Sequence, residues 1–214
     1  MISRDIIVIG ASAGGLQALR SLVGALPPRF DAAVFAVLHI GPHSPGYLPQ
    51  LLAMAGPLPA CHPYNGQRIE KGRVYVAPSD HHMRLTHDAI RLDRSPKVKH
   101  TRPAADPLFQ SAAEAFGPRV VGVVLTGGDA DGSDGLAMIT AHGGVGIVQD
   151  PDEAHAPSMP ISALRTDHPD HCLPLAGIAP LLVALNKPGD VASSDPPENS
   201  PRHPAEPSRG HQRG

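Results

Sequence analysis

Five continuous apolar runs of strand length recur along the chain: "IIVIG" (residues 6–10), "AVFAVLH" (33–39), "RVYVAP" (73–78), "VVGVVLT" (120–126) and "GVGIVQ" (144–149). A strand with one face in water alternates apolar and polar residues. Runs of Val and Ile without alternation therefore indicate strands covered on both faces, as in a parallel sheet flanked by helices. Helix-like segments fall between them at 16–26, 48–55, 108–116, 135–141 and 161–166. The alternation predicts an α/β, doubly wound, Rossmann-like fold with a mostly parallel sheet. Residues 81–94 depart from this: apolar and polar residues alternate on either side of His87-Asp88, which predicts an antiparallel β-hairpin. Residues 173–185 read as a short strand, a turn and a last helix. The folded domain is expected over residues 1–186. From Lys187 the composition turns to Pro, Ser, Asp, Glu and Gly, so 187–214 reads as a disordered tail.

The first run ends in a small-residue turn, "GASAGG" (residues 10–15), with an apparent helix after it. A dinucleotide fingerprint needs Gly at the first, third and sixth positions and an acid at the end of the second strand. Here the third position is Ser12 and the second strand ends in His39. No Lys-Ser or Lys-Thr follows, so a Walker loop fails as well. Read as Gly-x-Ser-x-Gly, residues 10–14 form a nucleophile elbow that exposes Ser12 at the carboxyl edge of the sheet. The N–H groups that follow, at a helix N-terminus, suit a developing oxyanion.

A serine nucleophile needs a base and an acid to orient it. In an open α/β sheet the site lies beyond the carboxyl ends of the strands. Of the 13 histidines, His39 ends the second run, and His43, in the loop "GPHSPG", is its main competitor. His81, His82 and His87 belong to the hairpin, and the spacing of His82 and His87 suits no metal pair. The run 120–126 leads into "GGDADGSDG", which offers Asp129, Asp131 and Asp134; chemistry alone does not choose among them. The cluster is no EF-hand, because Asp134 stands where Gly is required and Thr140 where Glu is required. No metal or cofactor is expected. The order Ser, His, Asp differs from that of α/β-hydrolases, so the expectation is a triad by geometry on another scaffold.

Composition removes other classes. The 18 basic and 20 acidic residues give a formal net charge of -2, and only 3% of residues are aromatic, with no Trp. That combination offers neither a basic field nor stacking platforms for nucleic acid. No segment approaches the roughly 20 apolar residues of a membrane span, and no leader peptide is read at the N-terminus. The distant Cys61 and Cys172 read as buried or idle thiols in a reducing cytoplasm. The expectation is a cytoplasmic protein that is not membrane-embedded and binds no nucleic acid.

The segments "VIGASAGGLQAL", "VLHIGPHSPGYLPQLL", "VYVAPSDHHMRL", "HTRPAADPLFQSAA", "VVLTGGDADGSDGLAMI" and "GVGIVQDPDEAHAPSMPISAL" resemble, in family order, the catalytic domain of the CheB family, the chemotaxis protein-glutamate methylesterases. The likeness runs from about Ile6 to Leu185. It implies that Ser12, His39 and Asp131 are catalytic, choosing Asp131 over its neighbours, and that backbone N–H groups at Ala13 and Gly128 form the oxyanion hole. It further implies a Ser-His-Asp hydrolysis of glutamate methyl esters to glutamate and methanol, on a methylated chemoreceptor or related sensory protein. Glutamine deamidation stays open. The sequence departs from the family pattern in three places: Ala13 stands where Thr is usual, Gly128 where Met is frequent, and Asp129 in place of Gly. Asp129 places a second carboxylate beside the expected oxyanion hole. Chemotaxis members usually carry an N-terminal receiver domain, whereas the first strand here starts six residues in, so a stand-alone domain is expected, its site open constitutively or controlled by another protein. The rival reading is a non-catalytic signalling module on the same fold, bound to a protein methyltransferase or a sensor.

Overall fold

The computed structural model describes residues 3–41, 44, 46–166 and 168–187. The tail expected to be disordered, apart from Lys187, and His43 lie outside the described residues. In chain order the elements are β1 (Ile6–Ala11), α1 (Gly15–Gly24), β2 (Ala33–Leu38), α2 (Leu48–Ala53), β3 (Ala60–Cys61), β4 (Gln67–Arg68), β5 (Arg73–Val76), β6 (His82–Leu85), β7 (Ala89–Asp93), α3 (Ala105–Phe116), β8 (Val120–Val124), α4 (Ser133–Ala141), β9 (Val145–Gln149), α5 (Ser158–Thr166), β10 (His171–Leu173) and α6 (Leu175–Asn186).

Seven strands form the main sheet in the order β10-β9-β8-β1-β2-β5-β3, and each neighbouring pair in it is parallel. The expected α/β class and parallel sheet are thus observed. The side chains explain the unbroken apolar runs. Ile7 and Ile9 of β1 face one core with α1 and α6, together with Val34 and Ala36 of β2. Ile6 and Val8 face the other, with Phe35, Val37 and the apolar faces of α3 and α4. Successive residues of a strand point to opposite faces, so a strand with a core on both sides must be apolar at every position.

The hairpin is present as β6 and β7 around His87-Asp88, with Met83 opposite Leu92 and Leu85 opposite Ile90. It gains a third strand, β4, antiparallel to β7. Neither β4 nor β3 was expected. Each is two residues long and exists through its pairing with β7 or β5, with no apolar run to announce it. Four helices start earlier than their sequence pattern suggests: α1 at Gly15 rather than 16, α3 at Ala105 rather than 108, α4 at Ser133 rather than 135, and α5 at Ser158 rather than 161. The strand expected from 173 occupies His171–Leu173, and α6 starts at Leu175. The strand order reverses at β1, with β2 on one side and β8 on the other, which places a crevice at the carboxyl end of β1.

Candidate active site

Two strand ends bring the first two residues together. Ala11 is paired with Leu38 in the β1–β2 register, and the ladder continues one step further, His39 N–H donating to Ala11 C=O at 3.1 Å. Ser12 and His39 therefore leave adjacent strands at the same level. Ser12 N–H donates across to Thr126 C=O at 3.0 Å, and Gly15 N–H closes the elbow onto Ser12 C=O at 2.8 Å. Gly14 has φ +75°, and a Cβ there would lie 2.6 Å from the Cβ of His155, so backbone angle and space both require glycine. The turn leads directly into α1, which buries Ala18, Leu19, Leu22 and Val23.

Asp131 arrives from the loop between β8 and α4 and is completely buried. Its Oδ2 lies 2.7 Å from His39 Nε2. The same carboxylate accepts the first two N–H groups of α3: Ala105 N–H at Oδ2 and Asp106 N–H at Oδ1, the latter at 3.0 Å. Helix N-termini carry orphan donors and partial positive charge. Ala104 offers no side-chain cap, so Asp131 caps α3 from far along the chain. Burial pushes the Asp131 carboxyl up, but the His39 ring and the two backbone donors outweigh it and hold the group below the ordinary carboxylate value. An ionised Asp131 only accepts, so the proton between the two residues sits on His39 Nε2. Nδ1 is then the basic nitrogen.

Of the other acid candidates, Asp134 pairs with Lys99 at 2.8 Å. Asp129 is exposed, and its Oδ1 accepts the N–H of Ala130 at 2.9 Å. Only Asp131 meets His39. Among the hairpin histidines, His82 is buried, its Nε2 3.2 Å from Pro96 C=O, and His81 contacts Ser79 C=O and Arg94. Neither faces the elbow's partners. Among the described residues, no group of three or more His, Cys, Asp or Glu side chains is arranged to hold a metal ion.

Sequence reasoning missed the residues that support this site. Thr126 lies directly under the elbow. Its hydroxyl donates to Ala13 C=O at 2.9 Å and accepts Ala156 N–H at 2.8 Å, while its own N–H donates to Gln149 Oε1 at 2.9 Å. Lys99 holds the Asp131 loop, donating to Ala130 C=O at 2.8 Å and pairing with Asp106 at 2.8 Å. Thr101 Oγ1 stands 3.5 Å from His39 Nε2. No spacing rule marks these residues. Most of their partners are distant in sequence, as Ala13 and Ala156 are from Thr126, Ala130 from Lys99 and His39 from Thr101, and become neighbours only in the fold.

The chain matches the CheB methylesterase family over residues 7–182. A Leptospira interrogans protein with the provisional name protein-glutamate methylesterase/protein-glutamine glutaminase is 35% identical over 184 residues, 86% of this chain and 95% of its own length. The chain belongs to the CheB methylesterase family. A Methanosarcina mazei protein-glutamate methylesterase/protein-glutamine glutaminase is also 35% identical, but this chain spans only 52% of it. The crystal structure of the Thermotoga maritima CheB methylesterase catalytic domain superposes with a TM-score of 0.82 at 31% identity, covering 86% of this chain and all of that one.

Within this CheB fold the three departures from the family pattern can be placed. Ala13 and Gly128 are both exposed at the mouth of the site, and their N–H groups have no protein acceptor among the described residues. A Cβ on Gly128 would meet nothing within 4 Å, so the missing side chain leaves no hole. Asp129 adopts φ +152°, an angle that residues with a side chain rarely take.

Proposed function

We propose that this chain hydrolyses the methyl ester of glutamate side chains on a protein, with Ser12 as nucleophile, His39 as base and Asp131 as orienting acid. The observation that carries the reading is the 2.7 Å contact between His39 and a buried, ionised Asp131, at a strand end level with the Ser12 elbow. Nδ1 of His39 takes the Ser12 proton as Oγ attacks the ester carbonyl. The oxyanion is held by the N–H groups of Ala13 and Gly128, at the positive end of α1. Collapse of the tetrahedral adduct breaks the C–O bond to methoxide, and His39 returns the proton so that methanol departs. Water then attacks the acyl-serine, again losing its proton to His39, and frees the glutamate carboxylate and Ser12. The imidazolium formed in each half-reaction faces the Asp131 carboxylate, which stabilises it and fixes the ring's tautomer.

The same acyl chemistry with ammonia as leaving group would deamidate glutamine, the second activity in the relatives' names. The substrate in this reading is a methylated chemoreceptor or related sensory protein, met in the cytoplasm. No helix among the described residues is long and apolar enough to cross a membrane.

The test is methanol release from membranes bearing methylated chemoreceptors, with Ser12→Ala beside the unaltered protein. Release that falls by roughly 10⁶ in the variant supports the reading. Equal release from both would remove Ser12 from the mechanism. No release from either folded protein would favour a non-catalytic signalling role.

A further inference from the structure

Beside His39 a cleft of about 270 Å³ opens between the end of β2 and residues 97–102. The wall opposite His39 is a tight two-residue turn. Val98 and Thr101 exchange backbone hydrogen bonds at 3.1 and 2.9 Å, and between them Lys99 and His100 take φ +44° and +65°. Such turns favour Asn and Gly, since both central residues are left-handed. Lys and His persist here because Lys99 is pinned by Ala130 C=O, Asp106 and Asp134, each at 2.8 Å. Strain held by surrounding structure in this way is concentrated where a fold positions functional groups.

Two cations line the cleft, Arg102 and Lys97. Arg102 donates twice to Asp80 Oδ1, at 2.9 and 2.7 Å, and to the carbonyls of Arg94 and Ser95 at 2.9 and 2.8 Å. Four of its five N–H donors are used in these bonds, and its charge is matched by Asp80. Arg94 also approaches Asp80, at 3.7 Å. Asp80 is the one acidic side chain lining the cleft among the described residues, and it is committed. Lys97 lines the same cleft, is exposed, and has no carboxylate partner among the described residues. His100 lines it beside Lys97.

We propose that this cleft is a subsite for an anionic side chain of the substrate polypeptide, with Lys97 as its counter-charge. The cleft shares His39 with the reaction centre. The anionic group therefore belongs to a residue that lies beside the esterified glutamate when the substrate is bound. The preferred substrate is therefore an acidic segment, not an isolated ester. This deepens the proposed methylesterase reading and rests on it for the identity of the reacting residue.

The test uses the full chain and two peptides carrying a glutamate γ-methyl ester, flanked by glutamates in one and by glutamines in the other. The glutamate peptide is expected to show about fivefold lower KM, the scale of one partly exposed ion pair. The preference should shrink as salt is raised, and Lys97→Glu should reverse it. Equal KM for the two peptides, or a preference indifferent to Lys97→Glu, would overturn the subsite and leave the esterase intact. If neither peptide is hydrolysed the esterase reading fails, and binding of the same labelled peptides, read by fluorescence anisotropy, still decides the subsite. Tighter binding of the glutamate peptide that Lys97→Glu abolishes supports it; indifference to the flanking charge removes it.

Discussion

The two edges of the main sheet each carry a buried aspartate, and they treat it in opposite ways. At the amino edge, Asp5 stands just before β1 and is met by full cations: Arg119 Nε at 2.8 Å and Nη2 at 2.9 Å, and Lys71 at 3.0 Å. At the carboxyl edge, Asp131 meets no Lys or Arg among the described residues; its partners are two backbone N–H groups and an imidazole. Burial pushes both carboxyls up, and in both cases the partners win and hold the group below the usual value. The difference lies in what kind of charge answers each. Asp5 is neutralised permanently, which serves the fold. Asp131 is kept ionised by fixed dipoles and the imidazole, so in the proposed mechanism its charge is available for a proton that arrives and leaves at His39 within each turnover.

The largest expected effect is at the carboxyl edge. Both Asp131 oxygens accept N–H groups, whereas an asparagine has one oxygen, so Asp131→Asn must turn its amide nitrogen toward a donor. The His39 tautomer is then no longer fixed, and methanol release should fall by roughly 10⁴-fold, the scale seen when a triad aspartate becomes asparagine. Circular dichroism should show the fold retained. Release within tenfold of the unaltered protein would mean that Asp131 is only a cap for α3.

At the amino edge the loss should be read in stability, not rate. Asp5→Asn removes charge-assisted bonds from Arg119 and Lys71, which should cost about 2 kcal/mol in urea unfolding with turnover kept. A fall in turnover as large as that of Asp131→Asn would erase the contrast between the two edges.

Acid provides the next, smaller test. Asp5 and Asp131 bind protons less readily folded than unfolded, so their stabilisation is present above the ordinary carboxylate value of about 3.9 and is lost as pH falls through their lowered values. Asp106 has the opposite sign. Burial pushes it up against the pull of Lys99, and the nearby Asp131 charge adds to the rise. Over the window between the ordinary value and its raised one, the folded state holds a proton that the unfolded chain has released, so its contribution weakens as pH rises. Urea midpoints measured between roughly pH 5 and 3 should fall less steeply in Asp5→Asn than in the unaltered protein. Identical slopes would show that the Asp5 cluster is not a source of acid lability.

The same contrast explains what could be read from the sequence. β1, β2 and β8 were legible because a strand between two cores cannot hide its composition. Ser12 and His39 were legible because they end neighbouring strands, so locating the strands located them. The choice of Asp131 was not legible from local chemistry: Asp129, Asp131 and Asp134 are three acids in one polar turn. The contacts that separate them come from elsewhere in the chain, with Lys99 taking Asp134 and the N-terminus of α3 and His39 taking Asp131. The early start of α3 was hidden for the same reason, since its cap comes from Asp131 and not from the residue before it. α5 includes Pro160 in its first turn, where a missing N–H costs nothing, so its start could not be read from a helical pattern alone.

The smallest expected effect concerns Asp129, an acid at the carboxyl edge with neither a cation nor a helix terminus to answer it among the described residues. Its φ of +152° disfavours any side chain, and relief of such strain is worth about 1–3 kcal/mol. Asp129→Gly would recover that, but it gives up the bond to Ala130 N–H, about 1 kcal/mol, and adds about 0.5–1 kcal/mol of unfolded-state entropy. The terms nearly cancel, so the unfolding free energy should change by no more than about 1.5 kcal/mol. Rate separates two roles more sharply than stability does. If the Asp129 carboxylate opposes the developing oxyanion near Gly128, removing it should raise kcat a few-fold and leave KM in place. An unchanged kcat would mean that an exposed acid at this edge is screened by water. A fall in kcat would mean that Asp129 itself serves the reaction.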